Sequence, residues 1–237
     1  MDAQLNPEVD MDGPRRRLAE QGRARVREVL TPAFARALSD AMRETPWRRI
    51  WETPTKLDVP VEVFAAQAPQ EQAAVIESIF AEATEGFQFL FDRHRVGVAA
   101  EAGLSQPKPL AAAYALLNSP EFLDFARTLT GDEGIAYVDC QATRYLPGHF
   151  LNGHSDEHEQ AGRLYAYVLN LTPDWRAEWG GWLAFLDEEG EVSEAFVPAF
   201  NTLNVFRVPQ THAVTPVAAF AGAPRYALTG WMRTHGP

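Results

Sequence analysis

Four side chains in the C-terminal half of the chain have the types and spacing to do chemistry together: His154, Asp156, His212 and Arg225. On an extended strand, two residues separated by one share a face, with Cα atoms roughly 6.6 Å apart. The imidazole of His154 and the carboxylate of Asp156 can therefore close on one ion. With His212 they make a two-histidine, one-carboxylate set, which covers one face of an octahedral ion and leaves the other positions open, the usual ligand set of non-haem Fe(II). A His-x-Asp pair is common in polar loops, so the downstream residues must give it weight.

His212 lies in Val205-Phe-Arg-Val-Pro-Gln-Thr-His-Ala-Val-Thr-Pro-Val217, whose β-branched and aromatic content reads as two short strands around a turn at Pro209-Gln210. Taken alone, such a histidine is more often a hydrogen-bonded core residue than a ligand. In the strand Arg225 to Trp231, a period of two puts Arg225, Ala227, Thr229 and Trp231 on one face. A buried arginine needs a carboxylate or phosphate partner, and no acidic residue is adjacent in sequence, so a ligand is a candidate partner. The competing reading is a surface arginine at a strand start.

The elements that must hold these residues change character near Gly131. Before it, the alanine-rich stretches Pro32 to Glu44, Pro69 to Phe91 and Pro109 to Thr130 have helix composition, and Thr31-Pro32 offers an N-cap followed by proline in the first turn. After it come short β-rich runs at about 135–145, 149–155, 163–171, 181–187, 192–198, 202–208, 211–217 and 225–233. This pattern predicts one domain over residues 1–237, mainly β with α support. Its core is a double-stranded β-helix, or jelly-roll barrel, over 131–237, backed by helices from 1–130. His154 and Asp156 fall at the end of the second strand, His212 in the seventh and Arg225 at the start of the eighth, so they converge at one mouth of the barrel. The proline-containing, acidic segment Trp47 to Val63 reads as a connection, or as a lid or substrate wall.

The segments Tyr145-Leu-Pro-Gly-His-Phe-Leu-Asn-Gly-His154-Ser-Asp156, Tyr167-Val-Leu-Asn-Leu-Thr-Pro-Asp-Trp175, Gly180-Gly-Trp-Leu-Ala-Phe185, His212 and Arg225-Tyr-Ala-Leu-Thr-Gly-Trp231 resemble the Fe(II)- and 2-oxoglutarate-dependent dioxygenases, on their prolyl hydroxylase branch. They occur in the family's order over roughly residues 135 to 237, with the arginine thirteen residues after the second histidine. The resemblance implies that His154, Asp156 and His212 hold Fe(II) and that Arg225 pairs with the distal carboxylate of 2-oxoglutarate. It implies that Tyr145 lines the cosubstrate pocket and that Thr229 and Trp231 border the cosubstrate and substrate side of the metal. Asn170 falls where many relatives place a tyrosine that touches the same carboxylate; an amide could donate there over a shorter reach. Ala227 stands where other relatives carry serine. The implied reaction consumes O2 and 2-oxoglutarate, releases succinate and CO2, and hydroxylates a prolyl residue of a peptide or protein, or a small proline-like molecule, with ascorbate as an accessory reductant. Competing readings are a jelly-roll hydrolase or isomerase using Zn2+ or Mn2+ without 2-oxoglutarate, and a non-catalytic sensor domain that binds a 2-oxo acid.

Composition narrows the partners. Thirty-two acidic against twenty-one basic side chains give a formal net charge of -11, which disfavours a phosphate-tracking surface and so a direct nucleic-acid substrate. The single cysteine, Cys140, cannot form an internal disulfide or a multi-cysteine zinc site, and a reducing cytoplasm is the expected home. Met1 to Arg17 lacks the apolar core of a signal peptide, no stretch has the length of a membrane span, and Arg15-Arg-Arg17 reads as a solvated helix face. Oligomeric state is left open. Trp175, Trp179 and Trp182 around Gly180-Gly181 read as packing under a turn, and Glu157-His158-Glu159 as a solvated acidic loop. His94 and His149 have no partner pattern in sequence.

Overall fold

Alternation of apolar and other side chains along the strands decides which face of the sheet meets the helices and which forms a barrel interior. The structure is a computed structural model that describes residues 3–53, 55–158 and 161–236. Met1, Asp2 and Glu159, which enter the sequence readings above, lie outside the described residues. In chain order the elements are α1 (Asp12–Gln21), β1 (Arg23–Arg27), α2 (Pro32–Ala41), β2 (Arg48–Glu52), β3 (Lys56–Pro60), α3 (Val61–Ala65), α4 (Pro69–Glu85), β4 (Phe89–His94), α5 (Val96–Glu101), α6 (Lys108–Leu117) and α7 (Pro120–Thr130). They continue as β5 (Tyr137–Val138), β6 (Gln141–Tyr145), β7 (Phe150–His154), β8 (Arg163–Asn170), β9 (Leu183–Leu186), β10 (Val192–Phe196), β11 (Thr202–Arg207), β12 (His212–Val214) and β13 (Arg225–Arg233).

The strands pair antiparallel in the order β1-β11-β8-β13-β6-β4-β7-β12-β9-β10. β4 joins the two sheets of the barrel: Asp92 to His94 pair with β6, while Phe89 and Leu90 pair with β7. On β8 the alternation is plain. Tyr165, Tyr167 and Leu169 pack with Phe34, Leu38, Leu117 and Phe122 of the helical layer, while Ala166 and Val168 turn inward to Phe185, Phe196 and Phe206. Burying these aliphatic and aromatic side chains contributes roughly 1.5–3 kcal/mol each. The fold is the expected jelly-roll barrel with helices.

Three sequence readings of the N-terminal half need correction. The helix expected over Pro69 to Phe91 stops at Glu85, and Phe89 to His94 form a strand of the barrel. Gly86 ends the helix, and Phe87-x-Phe89-x-Phe91 has the period of a strand, which the alanine-rich stretch before it conceals. The helix expected over Pro109 to Thr130 is two helices, broken at Asn118-Ser119, where Ser119 accepts from the Phe122 amide and Pro120 takes the first turn. Residues 1–130 are more than helical support, because β1 pairs with β11 and β4 sits in the middle of the sheet order. Thr31 stands at the N-cap of α2 without a side-chain capping bond. Arg17 is ion-paired with Glu194, so the arginine triplet is only partly a solvated face. Gly131, where the texture changes, is the left-handed C-cap of α7 (φ 72°), a conformation that favours glycine.

The Trp47 to Val63 segment is chiefly the hairpin β2–β3, attached to β4 through β2. Its anchor is Asp92, fully buried and paired with Arg49 at 2.9 Å and Arg144 at 2.7 Å, so one carboxylate ties β4 to strands on both sides. Burial pushes this carboxyl upward, but the Arg49 and Arg144 guanidiniums outweigh it and hold it below the ordinary range.

His149, 3% exposed and with Nδ1 unpartnered among the described residues, lies at the start of β7. Burial lowers its pKa from 6.5 to about 4, against the opposing pull of Asp92. The unfolded chain protonates this ring at the higher pH, so it binds more protons than the folded chain throughout that window. The contribution to stability is complete above pH 6.5 and is lost as pH falls towards 4, on the order of 3 kcal/mol in all. In denaturant titrations across this window, His149→Asn should lose stability less steeply than the parent. Equal slopes would contradict the assignment.

Candidate metal and carboxylate site

Strand pairing brings the two histidines together. β12 lies against β7 with His212 opposite His154, and the register shifts between His212 and Val214, a bulge of the kind that re-aims side chains beside sites. Asp156 stands two residues past the end of β7, in the following loop. Its Oδ1 is 3.6 Å from His154 Nε2 and its Oδ2 is 3.5 Å from His212 Nε2. The ring centroids of His154 and His212 are 4.2 Å apart, and one donor atom from each of the three residues lies within 4.8 Å of the others.

Each histidine is oriented by its own strand. His154 Nδ1 lies 3.0 Å from the Asn152 carbonyl and His212 Nδ1 lies 2.9 Å from the Gln210 carbonyl. A carbonyl can only accept, so each Nδ1 carries the proton and each Nε2 presents a lone pair to the cluster. Burial, then the neighbouring His154, lowers the pKa of His212 to about 4, which keeps that ring neutral at physiological pH. Two imidazoles and a carboxylate, with outer nitrogens already bonded, fit a divalent ion.

Arg225 opens β13, paired with Tyr145 of β6. It is 1% exposed, it makes no ion pair among the described residues, and its Nε has no hydrogen-bond partner there. Its guanidinium carbon sits 5.1 Å from the centroid of the Tyr145 ring. Burial pushes its pKa down, and Tyr145 pulls weakly the other way. Gly181, at φ 64°, gives the arginine room: a Cβ there would lie 3.0 Å from Arg225 Cδ. Trp175 and Trp179 stack edge to face beside this turn at 5.2 Å, and the indoles of Trp175 and Trp182 donate to the Gly180 and Ala177 carbonyls, so the tryptophans are packing, as expected.

A narrow cavity connects the cluster to the arginine, bordered by His154, Asp156 and His212 and by Tyr145 and Arg225. Thr143, Gln141, Thr229 and Trp231 also line it. Thr229 accepts from Gln141 at 3.2 Å, and Tyr145 stacks on Phe91 with centroids 5.0 Å apart. Ala227 shares the face but packs into the barrel core with Phe185 and Phe206. Asn170 departs from expectation: its amide donates to the Thr202 carbonyl at 3.1 Å, and it lies outside the residues lining this cavity. The donor that would have met a carboxylate is engaged in the sheet. His158 is exposed, and His94 is bonded to Gln106, so neither joins the cluster.

A larger cavity of about 830 Å³ opens from His154, Asp156, Thr229 and Trp231 towards the surface. Much of its wall comes from the N-terminal half: Ile50, Phe87, Phe89 and Phe91, with Lys56, Arg93 and Arg95. Ile50 and Lys56 fall in the Trp47 to Val63 segment, for which a substrate wall is one of the two readings; sequence reading missed the others, although the phenylalanine alternation from 87 to 91 was a usable signal. So was Gln141-x-Thr143-x-Tyr145, which sets three polar-capable side chains on one strand face.

Residues 140–233 match the profile of the 2OG-Fe(II) oxygenase superfamily. This part of the chain belongs to that superfamily. The chain is also similar to a prolyl 3-hydroxylase of Xenopus laevis, 31% identical over 123 residues, which is 49% of this chain and 23% of that protein. The chain thus spans about a quarter of the length of that curated relative. In fold, the chain resembles a Pseudomonas putida prolyl-4-hydroxylase, at 21% identity and a TM-score of 0.52 over 96% of this chain and all of that one. It also resembles a Trichoplax adhaerens prolyl hydroxylase solved with a peptide fragment of hypoxia inducible factor, at 18% identity and a TM-score of 0.56 over 93% and 87% of the two chains. The superfamily uses Fe(II) and 2-oxoglutarate, and the histidine–aspartate cluster with a buried, unpaired arginine fits both.

An uncompensated buried guanidinium weakens a fold unless a ligand satisfies it, and an apolar replacement of similar volume is often neutral or stabilising. Arg225→Met should melt at the same temperature as the parent or higher without ligand. It should also lose the upward shift that 2-oxoglutarate with Mn(II) gives the parent. A variant that is destabilised without ligand, yet still shifted, would contradict a ligand-binding role.

Proposed function

We propose that this chain is an Fe(II)- and 2-oxoglutarate-dependent dioxygenase that hydroxylates a prolyl residue in a peptide or protein. The observation that carries the reading is the narrow cavity with His154, Asp156 and His212 at one end and the unpaired, buried Arg225 at the other. In this reading His154, Asp156 and His212 hold Fe(II), and Arg225 binds the distal carboxylate of 2-oxoglutarate through its planar fork of donors. Tyr145 and Gly181 place the guanidinium, and Thr229 with Gln141 offers polar contact along the cavity. When bound, the metal and cosubstrate supply oxidative decarboxylation with O2 to succinate and CO2, coupled to substrate hydroxylation.

The protein's own contribution is orientation and exclusion of water. The narrow cavity is walled by Leu151, Val168, Leu183, Phe206 and Val214, which keep solvent from the inner side of the donor cluster. The larger cavity meets the cluster with the aromatic side chains Phe87, Phe89, Phe91 and Trp231, a surface suited to a pyrrolidine ring. Its volume exceeds what a single amino acid occupies, which favours a peptide segment over free proline. The resemblance to prolyl hydroxylases points the same way. A hydrolase or isomerase using the same ligands would leave Arg225 without a purpose, so that reading has less support. Because β1 and β4 are strands of the barrel, residues 1–237 act as one domain in this account. No helix among the described residues is long and apolar enough to cross a membrane, and a reducing cytoplasm suits a chain whose single cysteine is buried and free.

The test is product analysis. With Fe(II), 2-oxoglutarate, ascorbate and air, the protein should add one oxygen atom to a proline-containing peptide and release an equivalent of succinate, both read by mass spectrometry. Asp156→Ala should reduce succinate release to background; near-normal release from that variant would sink the metal assignment.

A further inference from the structure

The wall of the larger cavity contributed by β2, β3 and β4 carries a charge pattern that the metal chemistry does not need. Strand register puts Arg48, Ile50 and Glu52 of β2, Lys56, Asp58 and Pro60 of β3, and Phe91 and Arg93 of β4 on one face. Asp58 is shared by two guanidiniums, Arg48 at 2.5 Å and Arg93 at 2.6 Å. Lys56 and Arg95, both exposed, make no ion pair among the described residues, although Glu52 faces Lys56 across the hairpin. Burial, then the neighbouring Arg93 and Arg95, holds the Lys56 ammonium below its ordinary pKa, with Glu52 and Asp58 opposing. This like-charge crowding would be relieved by an incoming anion.

Each acidic group on the rest of the cavity wall already has a hydrogen-bond or ion-pair partner or belongs to the donor cluster, and Glu101 keeps its charge. Glu101 accepts from the hydroxyls of Tyr114 and Tyr137, Asp139 pairs with Arg233 at 3.3 Å, and Asp156 belongs to the donor cluster. Arg163 is stacked on Trp231 at 3.6 Å and donates to the Asp156 carbonyl. Positive charge without a carboxylate partner among the described residues is therefore concentrated around Lys56 and Arg95, the Lys56 ammonium resting 5.3 Å from the Phe89 ring centroid. A second groove of about 460 Å³ shares Arg93, Arg95 and Val98 with the main cavity, so an extended occupant reaching from the metal site would pass these cations. They stand out on a chain whose formal net charge is -11.

We infer that the substrate is an acidic peptide segment, with a glutamate or aspartate near the hydroxylated residue that is held by Lys56 and Arg95 at the cavity rim. The inference rests on the peptide-hydroxylase reading above and adds what selects the peptide. An exposed carboxylate passing two unpaired cations gains modest, salt-sensitive attraction, whereas a lysine in its place meets repulsion, so the larger effect is discrimination between partners.

The test measures binding, so it does not depend on turnover. Fluorescently labelled short peptides with a central proline, flanked by glutamate, by glutamine or by lysine, are titrated with the full chain holding Mn(II) and 2-oxoglutarate, and anisotropy is followed. The glutamate peptide should bind about tenfold or more tightly than the lysine peptide at low salt, with the gap closing as salt rises. Lys56→Glu and Arg95→Glu, both at exposed positions, should each narrow or reverse the preference. Equal or tighter binding of the lysine peptide, or a preference unchanged in both variants, would overturn the inference. An acidic preference without hydroxylation of any peptide would instead support the inference and count against the proposed reaction.

Discussion

The pairing of β12 against β7, with His212 directly opposite His154, is the constraint on which the site depends. It places the two imidazoles 4.2 Å apart by strand geometry, before any ion is present. Backbone carbonyls two residues upstream take the Nδ1 protons, so the same strands that position the rings also fix their tautomers. Asp156 needs only the short exit from β7 to reach both Nε2 atoms. The remaining barrel serves this pairing: β9 flanks β12 on its other side, and β4 flanks β7 while tying that sheet to the one that carries Arg225.

The second constraint is electrostatic. A barrel interior of Phe185, Phe196, Phe206, Leu183 and Val168 is a poor place for a guanidinium, yet Arg225 is held there with an aromatic face as its neighbour and no carboxylate among the described residues. Asp92, also fully buried, shows the contrasting solution, because two arginines from adjacent strands satisfy it. One buried charge is closed by the protein itself and stiffens the sheet; the other is left open towards a cavity. The difference separates a structural ion pair from a binding group.

Much of the barrel was legible in the sequence because its strands are short, β-branched and separated by turn residues. The last of them, Arg225 to Arg233, runs as expected from periodicity. The histidine–aspartate cluster and the arginine were legible through type and spacing, since few arrangements other than a metal site bring these donors to one face. The N-terminal contribution was hidden for physical reasons. The strand from Phe89 to His94 follows an alanine-rich helix without a long loop, and its burial on both sides leaves only the short phenylalanine alternation from 87 to 91 to mark it. The hairpin from Arg48 to Pro60 is rich in charge and proline, which leaves connection and substrate wall both open, and pairing with β4 decides for a wall of the cavity. Asn170 failed as a cosubstrate contact because a neighbouring strand's carbonyl, invisible to local pattern, takes its amide.

The most direct measurement is an anaerobic titration of the metal-free protein with Fe(II) and then 2-oxoglutarate, monitored for the visible charge-transfer absorption of a 2-oxo acid chelated to Fe(II). The expected result is a band that saturates at one equivalent of each and appears only at much higher 2-oxoglutarate in Arg225→Ala. Iron bound without such a band, or a band indifferent to Arg225, would contradict the account of the cavity as a site for metal and cosubstrate together.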